Sequence, residues 1–205
     1  MAATLVTSCT ALPPEGAGPP RGGPAAGPVL NFPPELLLAA QGIRVAFFDV
    51  DGVMTDGGIL FSDEGETLKR FHTLDGLGLK LLQRAAITPV VITGRDSKPL
   101  RRRLEALGVV NVSYGTEDKL PAAERSLQEL GFDWSQAAGM GDDWPDLPVL
   151  RRCALAVAPP HAHIEVRHCA RYVTQAGAGQ GAAREFCDLL LVAGGRYAQL
   201  LEAYR

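Results

Sequence analysis

Apolar and polar positions along this chain follow two alternating patterns from residue 44 onward. Short uninterrupted apolar runs, such as Val45-Ala46-Phe47-Phe48, are typical of strands buried on both faces. The segments between them have apolar residues spaced three or four positions apart, which indicates helices with one buried side. The strands are predicted at residues 44–49, 87–93, 109–113, 136–140, 154–158 and 171–174. The helices are predicted at residues 76–85, 97–107, 118–130, 145–152, 161–168 and about 181–203.

Strands that alternate with helices predict a parallel sheet, because a parallel connection needs a long crossover that is usually helical. We therefore expect an α/β fold with a doubly wound, mainly parallel sheet and helices on both faces. Residues 58–61 and 66–71 depart from this alternation. They flank the turn-forming residues 62–65, which predicts a β-hairpin after the first strand. A two-stranded ribbon is marginally stable alone, so this hairpin should pack on its own domain or on another subunit.

Composition divides the chain at about residue 34. Residues 1–34 contain eight of the fifteen prolines and five glycines, with Glu15 and Arg21 as the charged residues and Phe32 as the aromatic one. Such a segment buries too little apolar surface to offset its loss of chain entropy, so we predict a disordered extension. Residues 35–205 are long enough for one domain with a large core.

Charge and cysteine content narrow the class of protein. The net charge is −3 and 21% of residues are charged, which gives no excess of positive charge for nucleic acid. The four cysteines have no Cys-x-x-Cys spacing and have apolar neighbours, as is typical of reduced thiols. The sequence has neither a run of 18 apolar residues nor the basic start of a secretory signal. We expect a cytoplasmic protein without a nucleic acid or membrane partner.

Three carboxylates follow the first predicted strand within eight residues. Asp49, Asp51 and Asp56 come directly after four apolar residues and lie among several glycines. In a doubly wound sheet, the carboxyl end of a central parallel strand opens into a binding crevice. Carboxylates gathered at that edge predict a bound cation.

Three further polar clusters follow or lie close to later predicted strands. They are Thr93-Gly94-Arg95, Lys119, and the acidic segment at residues 139–146. Each has a structural explanation when taken alone: a helix cap, a solvated lysine and an acidic turn. Together with the first cluster they give the order acid, hydroxyl, lysine, acid. Because strand ends of one parallel sheet can converge, this order predicts a single chemical site.

The order and spacing of the four clusters resemble the haloacid dehalogenase superfamily of phosphatases. The motifs that carry the resemblance are DVDGV, ITGR, Lys119 and GDDWPD. Within the superfamily, FFDVDGVMTDGG, LKRFHTLDGLGLKLL, VVITGRDS, GDDWPDLPVL and GAAREFCDLLL resemble phosphatases that act on the 8-phosphate of an eight-carbon sugar acid in lipopolysaccharide precursor synthesis. The resemblance covers about residues 35–195. It implies magnesium-dependent hydrolysis of a sugar-acid phosphate monoester through an aspartyl phosphate.

The residue types fit the metal that the resemblance implies. Phosphate monoesters resist attack because their oxygens are anionic, so catalysis requires neutralised charge and in-line positioning. Mg²⁺ prefers hard oxygen ligands, and we expect the carboxylates of Asp49 and Asp142 to bind it. The resemblance adds the backbone carbonyl of Asp51 as a third ligand. Asp143 or Asp146 would orient these ligands from behind.

The resemblance also implies the catalytic roles. Asp49 would be the nucleophile that attacks phosphorus, and Asp51 would be the general acid and then the general base. Hydroxyl, amide and ammonium groups would bind the phosphate oxygens, and a glycine would let the backbone approach them. The residues expected to do so are Gly52, Thr93, Gly94 and Lys119.

Two positions depart from the pattern of these phosphatases. Leu74 stands where an arginine often precedes Asp75-Gly76, and Gln180 replaces the arginine of a GGRGxxRE motif. Since such arginines suit the carboxylate of a sugar acid, a nine-carbon sialic-type acid 9-phosphate is the alternative substrate. The cations that could bind the carboxylate instead are Lys69, Arg70, Arg95 and Arg184.

The spacing of the motifs leaves no room for an inserted cap domain. Only the hairpin and one helix fit between the first and second clusters, and only a helix and a short strand fit between the second and third. The resemblance implies a homotetramer in which the hairpins join and neighbouring subunits close each site.

Three other interpretations explain less of the sequence. A calcium loop needs a ligand at its fifth position and glycine at its sixth, where Val53 and Met54 stand. His161 and His163 are two residues apart, so on a helix they would point in different directions. A catalytically inactive scaffold would not need particular side chains at the catalytic positions. In this sequence, every position expected to carry chemistry has the required side chain.

Overall fold

A computed structural model of the chain describes residues 30–205. The predicted extension at residues 1–34 therefore lies outside the described residues, apart from its last five. Among those five, Phe32 is buried in the core and its ring meets the edge of the Tyr172 ring at a centroid distance of 6.0 Å. Pro34 begins the first helix. Part of the packed structure thus lies ahead of residue 35.

The described residues form eight strands and eight α-helices. The strands are β1 Val45–Phe48, β2 Leu60–Ser62, β3 Gly65–Leu68, β4 Thr88–Ile92, β5 Asn111–Ser113, β6 Ala137–Met140, β7 Leu155–Ala158 and β8 Tyr172–Val173. The helices are α1 Pro34–Ala39, α2 Thr73–Arg84, α3 Lys98–Leu107, α4 Lys119–Leu130, α5 Leu147–Leu150, α6 Ile164–Cys169, α7 Ala182–Ala193 and α8 Tyr197–Glu202. Short 3-10 turns at Trp134–Gln136 and Trp144–Asp146 precede β6 and α5. Within residues 30–205, no helix combines the length and apolar character needed to cross a membrane.

Six strands form one sheet in the order β5-β4-β1-β6-β7-β8, and every neighbouring pair is parallel. The chain builds this sheet outward from β1, first through β4 and β5 and then through β6, β7 and β8. The direction of winding reverses between β1 and β6, which is where doubly wound sheets bind ligands. The predicted fold class, a doubly wound α/β sheet, is confirmed.

Side chains of β1 alternate between two helical layers. Ala46 and Phe48 face the layer that contains α1, α2, α3 and α7, where the Phe48 and Phe186 ring centroids are 5.3 Å apart. Val45 and Phe47 face α4 and α5 on the other side. All four residues of β1 are buried, which explains why no polar residue interrupts this strand.

Three regions differ from the predicted elements. The long closing helix is two helices, α7 and α8, because Gly195 adopts the left-handed φ of 67° that favours a helix end. The helix predicted at residues 145–152 is a 3-10 turn followed by the four residues of α5. Helix α1 has no predicted counterpart, since only Leu36 of its residues is fully buried and one position makes no periodic pattern.

Strands β2 and β3 pair antiparallel outside the main sheet, which confirms the predicted hairpin. Its apolar residues Leu60, Phe61 and Leu68 are 57%, 70% and 66% exposed. The Ser62 hydroxyl stabilises the turn by accepting a hydrogen bond from the Glu64 N–H. A single chain therefore presents a ribbon whose apolar side chains face solvent.

Candidate active site

The carboxyl ends of three neighbouring strands place the predicted site residues side by side. Asp49 follows β1, Thr93 follows β4, and Asp142 lies just beyond β6. Because β1 lies between β4 and β6, their loops surround one cleft at the point where the winding reverses. The predicted residues that line this cleft are Asp49, Asp51, Thr93, Gly94, Arg95, Lys119, Asp142, Asp143 and Asp146.

A buried lysine joins two carboxylates on one side of the cleft. Lys119 Nζ donates to Asp49 Oδ1 at 2.6 Å and to Asp146 Oδ1 at 2.7 Å. The three side chains are 9% exposed or less. A charge is stable at such depth only when it is paired and hydrogen-bonded. The ammonium therefore fixes both carboxylates, and they fix it in turn.

The carboxylates of this cluster are spaced for one metal ion, which Asp49 and Asp142 could bind while Asp146 supports them. Asp49, Asp142 and Asp146 each offer an oxygen, and these oxygens lie within 4.8 Å of one another. Opposite ligands of an octahedral Mg²⁺ with bonds of about 2.1 Å are about 4 Å apart, so the spacing suits a shared ion. An all-oxygen set is also the type that Mg²⁺ prefers. The residues present fit the predicted metal.

The alternative histidine metal site is not formed in the described residues. Among residues 30–205, these three acids are the one group of three or more metal-ligating side chains that lie close enough together to bind one metal ion. His163 instead precedes α6 and accepts a hydrogen bond from the Glu165 N–H at 3.2 Å. Its Nδ1 also accepts from Trp144 Nε1 at 2.9 Å.

Burial and mutual repulsion shift the pKa values in the cluster. Burial, reinforced by the charge of Asp146, raises the pKa of Asp49 to about 6. Burial, reinforced by the charges of Asp49 and Asp146, raises the pKa of Asp142 to about 8. Burial lowers the pKa of Lys119, but the two carboxylates outweigh that effect and the net shift is upward. One lysine does not balance three acids, and a divalent cation would stabilise their charged forms.

The two acids considered for orienting the site have different environments. Asp146 is buried, and its Oδ2 accepts hydrogen bonds from the backbone N–H of Asp142 at 2.9 Å and of Asp143 at 3.2 Å. Its other oxygen binds Lys119. Asp143 is exposed and caps the 3-10 turn by accepting from the Trp144 N–H at 2.8 Å. Asp146 is therefore the residue that shapes the loop bearing Asp142.

Two glycines let the acidic loops approach each other. Gly52 has a φ of 91°, and a Cβ at this position would overlap the Asp142 carboxylate. A Cβ at Gly141 would overlap the side chain of Asp146. The sequence predicts that Gly52 lets the backbone approach phosphate, and the structure shows that the missing Cβ also leaves room for the Asp142 carboxylate. A glycine is needed here for the acids to meet.

Asp51 lies on the hairpin side of the cleft. Its Oδ1 forms an ion pair with Lys69, and its Oδ2 is 3.6 Å from Arg95 Nε. Lys69 also lies 2.9 Å from Glu66 Oε1. The sequence indicates Lys69 as a candidate cation for a sugar carboxylate, but no local pattern reveals that the hairpin turns it toward Asp51. The motif that follows β4 is compact, since Thr93 Oγ1 accepts from the Arg95 N–H at 3.2 Å.

The structure does not bring Arg184 to this cleft. Its guanidinium Nε donates to Asp188 Oδ1 at 2.8 Å, four residues later on α7. Its backbone N–H donates to Asp75 Oδ1 at 2.8 Å, so the buried Asp75 caps the first turn of α7. Asp75 and Arg184 thus join α2 to α7, away from the acid cluster.

The two departures from the phosphatase pattern lie near each other. Leu74 is 47% exposed, and its side chain is close to Gly181. Gln180 lines a small cavity with Arg70, Phe71, His72 and Gly179. Arg70, which lines the same cavity, pairs with Asp56.

Known proteins match both the fold and the chain. No protein-family model matches the sequence. The solved structure of a haloacid dehalogenase superfamily, subfamily IIIA, hydrolase from Legionella pneumophila has a TM-score of 0.80 and 38% identity, over 83% of this chain and 93% of that one. With its acid cluster at the carboxyl edge of a doubly wound sheet, this chain is a hydrolase of that superfamily that acts on phosphate monoesters.

Sequence relatives identify the family within this superfamily to which the chain belongs. A 3-deoxy-D-manno-octulosonate 8-phosphate phosphatase from Yersinia pestis is 41% identical over 167 residues, which is 82% of this chain and 88% of the relative. The phosphatase of that name from Moraxella catarrhalis, solved with magnesium, phosphate and 3-deoxy-D-manno-octulosonate (KDO), has a TM-score of 0.81 and 34% identity, over 83% of this chain and 98% of that one. The chain belongs to the 3-deoxy-D-manno-octulosonate 8-phosphate phosphatase family.

Proposed function

We propose that this chain hydrolyses KDO 8-phosphate to the free sugar acid and phosphate, with Mg²⁺ as cofactor, in lipopolysaccharide precursor synthesis. The observation that carries the proposal is the cluster of Asp49, Lys119, Asp142 and Asp146 at the reversal point of the sheet. It places a buried carboxylate, a fixed cation and a metal-binding set within one cleft. The relative from Moraxella catarrhalis that was solved with magnesium, phosphate and KDO supports the choice of ion and substrate.

The first half of the reaction transfers phosphate to the enzyme. A carboxylate oxygen of Asp49 attacks phosphorus, and the bond from phosphorus to the sugar oxygen breaks. Asp51 gives its proton to the departing sugar oxygen. Lys119, the Thr93 hydroxyl and the Gly94 N–H bind the phosphate oxygens and neutralise their charge. The products are the neutral alcohol of the sugar acid and an aspartyl phosphate.

The second half restores the enzyme. Asp51 takes a proton from a water molecule, and the water oxygen attacks the phosphorus of the aspartyl phosphate. The bond between phosphorus and Asp49 breaks, which releases inorganic phosphate. Asp51 ends protonated and is ready for the next substrate.

The carboxylates of Asp49 and Asp142 and the backbone carbonyl of Asp51 would hold the magnesium ion. When bound, Mg²⁺ supplies positive charge that offsets the negative charge of the phosphoryl group. Asp146 keeps the Asp142 loop in place through two backbone hydrogen bonds. Its position behind Asp142 fits the task of orienting a ligand.

Substrate identity is tested with a panel of sugar phosphates, ranked by kcat/KM with magnesium present. We expect KDO 8-phosphate to rank first. A nine-carbon sialic-type acid 9-phosphate is the second candidate, because Leu74 and Gln180 remove two cations beside Arg70. If the nine-carbon acid or a hexose phosphate ranks first, the named substrate is wrong while the reaction class stands.

We further propose a cytoplasmic homotetramer joined through the hairpins. The exposed side chains of Leu60, Phe61 and Leu68 support this, since a marginal ribbon with an apolar surface needs a partner. Light scattering should give a particle of about four times 21.8 kDa. A fully active monomer would exclude this assembly.

A further inference from the structure

The hairpin buries one charged side chain while it exposes its apolar ones. Lys69 directly follows β3, and its neighbours Leu68 and Arg70 are exposed. The side chain of Lys69 is only 2% exposed. Lysine is almost never buried to this extent unless it is paired. The hairpin thus directs a cation inward, toward its own chain.

The partners of Lys69 connect the hairpin to the proposed proton donor. Its ammonium forms an ion pair with Asp51 Oδ1 and lies 2.9 Å from Glu66 Oε1. The Glu66 side chain is 10% exposed and lies on the same ribbon. The other carboxylate oxygen of Asp51, Oδ2, is 3.6 Å from Arg95 Nε in the loop after β4. Two cations from separate segments therefore flank one carboxylate.

We propose that Lys69 is a positioning residue for the reaction: it holds Asp51 Oδ1 so that Oδ2 exchanges the proton with the departing sugar oxygen, and Glu66 holds Lys69 in turn. This inference rests on the proposed function, in which Asp51 is the general acid. The proton leaves Asp51 Oδ2 and joins the sugar oxygen while the bond from that oxygen to phosphorus breaks. Lys69 itself gains and loses nothing.

Lys69 would matter because it fixes the orientation of the Asp51 carboxyl group. A carboxyl group can rotate about its Cβ–Cγ bond, and only one of its oxygens can face the leaving group. Displacement of a reacting group by about 1 Å can cost on the order of 100-fold in rate. A salt bridge to a single oxygen removes that freedom. The ribbon thereby fixes the carboxylate that carries out the proton transfer.

The test separates positioning from a merely structural role by the choice of leaving group. A sugar alkoxide needs a proton to depart, whereas p-nitrophenolate departs as the anion. The ratio kcat/KM is used because it reports only the steps up to formation of the aspartyl phosphate and release of the alcohol. The variants are Lys69→Met, Lys69→Arg and Glu66→Gln in the full-length magnesium-loaded enzyme. Lys80→Met, which removes an exposed lysine of α2, is the matched control.

We expect Lys69→Met to lower kcat/KM for KDO 8-phosphate about 100-fold and for p-nitrophenyl phosphate less than about threefold. Lys69→Arg should restore the sugar phosphate value to within about tenfold of wild type, because it keeps the charge near Asp51. Glu66→Gln should change kcat/KM for the two substrates in the same direction as Lys69→Met, but by a smaller factor. Lys80→Met should leave both unchanged.

Equal losses for both substrates in Lys69→Met, or no loss in a variant that melts like wild type, would overturn the positioning role. Asp51→Asn separates this failure from a failure of the proposed function. If Asp51→Asn lowers the sugar phosphate value selectively and Lys69→Met does not, only the role of Lys69 is wrong. If Asp51→Asn shows no selectivity, Asp51 is not the acid and the proposed mechanism itself fails. If KDO 8-phosphate is not a substrate, the best alkyl phosphate of the panel takes its place.

Discussion

The two sides of the cleft are built in opposite ways. On the nucleophile side, Asp49, Lys119 and Asp146 are buried in the body of the sheet and hold one another at 2.6 and 2.7 Å. On the proton-transfer side, Asp51 is held by Lys69, which belongs to a two-stranded ribbon with exposed apolar side chains. The first side is fixed by folding of the domain alone. The second depends on a ribbon that is marginal by itself.

Assembly of subunits would act on catalysis through the hairpin side of the cleft. In the proposed mechanism, packing of the core determines whether phosphate is bound and attacked. Ordering of the hairpin determines whether the leaving oxygen receives its proton from Asp51. Phe61 and Lys69 lie on the same hairpin, a few residues of backbone apart. A contact with another subunit at Phe61 would therefore affect the position of Lys69 and, through it, of Asp51.

Loss of the nucleophile should have the largest effect. Asp49→Asn keeps the shape of the side chain but removes the attacking carboxylate, so kcat should fall about 10⁴-fold or more. The fold should remain, because the variant relieves crowding among three acids. Phosphatase assays and circular dichroism check both points. Turnover comparable to wild type would remove Asp49 from the mechanism.

A matched pair of acids tests the support behind the metal ligands. Asp146→Asn removes the charge that pairs with Lys119 and weakens the hold on the Asp142 loop, so magnesium affinity or activity should fall about 10- to 100-fold. Asp143→Asn changes an exposed cap and should stay within about threefold of wild type. Magnesium titration of activity gives both numbers. Similar losses in the two variants would mean that burial of Asp146 has no special role.

Disruption of the apolar ribbon should have an intermediate effect. Phe61→Asp puts a charge on a side chain that is 70% exposed, so it should break the assembly while changing the unfolding free energy of the isolated subunit by no more than about 0.5 kcal/mol. Activity should fall with the particle mass, since the ribbon positions Lys69. Val110→Ser, at a site 85% exposed, is the control. A smaller particle with undiminished activity would separate the hairpin contacts from catalysis.

The pH dependence of stability in the metal-free enzyme should be the smallest of these effects. In the stripped enzyme, Asp49 and Asp142 have pKa values raised to about 6 and about 8 from 3.8, so the folded state binds more protons than the unfolded state in that interval. Stability should therefore fall as pH rises from about 4 to 8. Each kcal/mol lost lowers Tm by about 2–4 °C. Magnesium should flatten the decline.

The control for this prediction is Asp142→Asn, which should reduce the pH dependence of Tm in the stripped enzyme. Melting curves with chelator and with magnesium, taken across the same pH range, provide the comparison. A stripped enzyme whose Tm does not depart from that of the magnesium-loaded enzyme with rising pH would contradict the electrostatic account of the cluster.

Sequence patterns reveal the core of the site better than its edges. The strand before Asp49 is visible because four apolar residues are buried on both faces, and parallel topology then brings the strand ends together. The hairpin is visible from its turn, but the direction in which it folds, and hence the contact between Lys69 and Asp51, depends on tertiary packing.

Two other features show the limits of sequence patterns. Arg184 carries a charge in a motif of the family, yet Asp188 one helical turn later holds its guanidinium away from the cleft. Phe32 lies in a segment rich in proline and glycine, where average composition hides one aromatic side chain that the core accommodates. In both positions a single contact decides the outcome, and composition or motif spacing carries no information about it.

A crystal structure of the wild-type enzyme grown with magnesium and phosphate would show whether the acid cluster binds the metal. We expect one ion bonded at roughly 2.1 Å to carboxylate oxygens of Asp49 and Asp142 and to the backbone carbonyl of Asp51. Phosphate should lie against the same ion, in contact with Lys119 and Thr93. An ion bound elsewhere, or one without a bond to Asp49, would contradict the account.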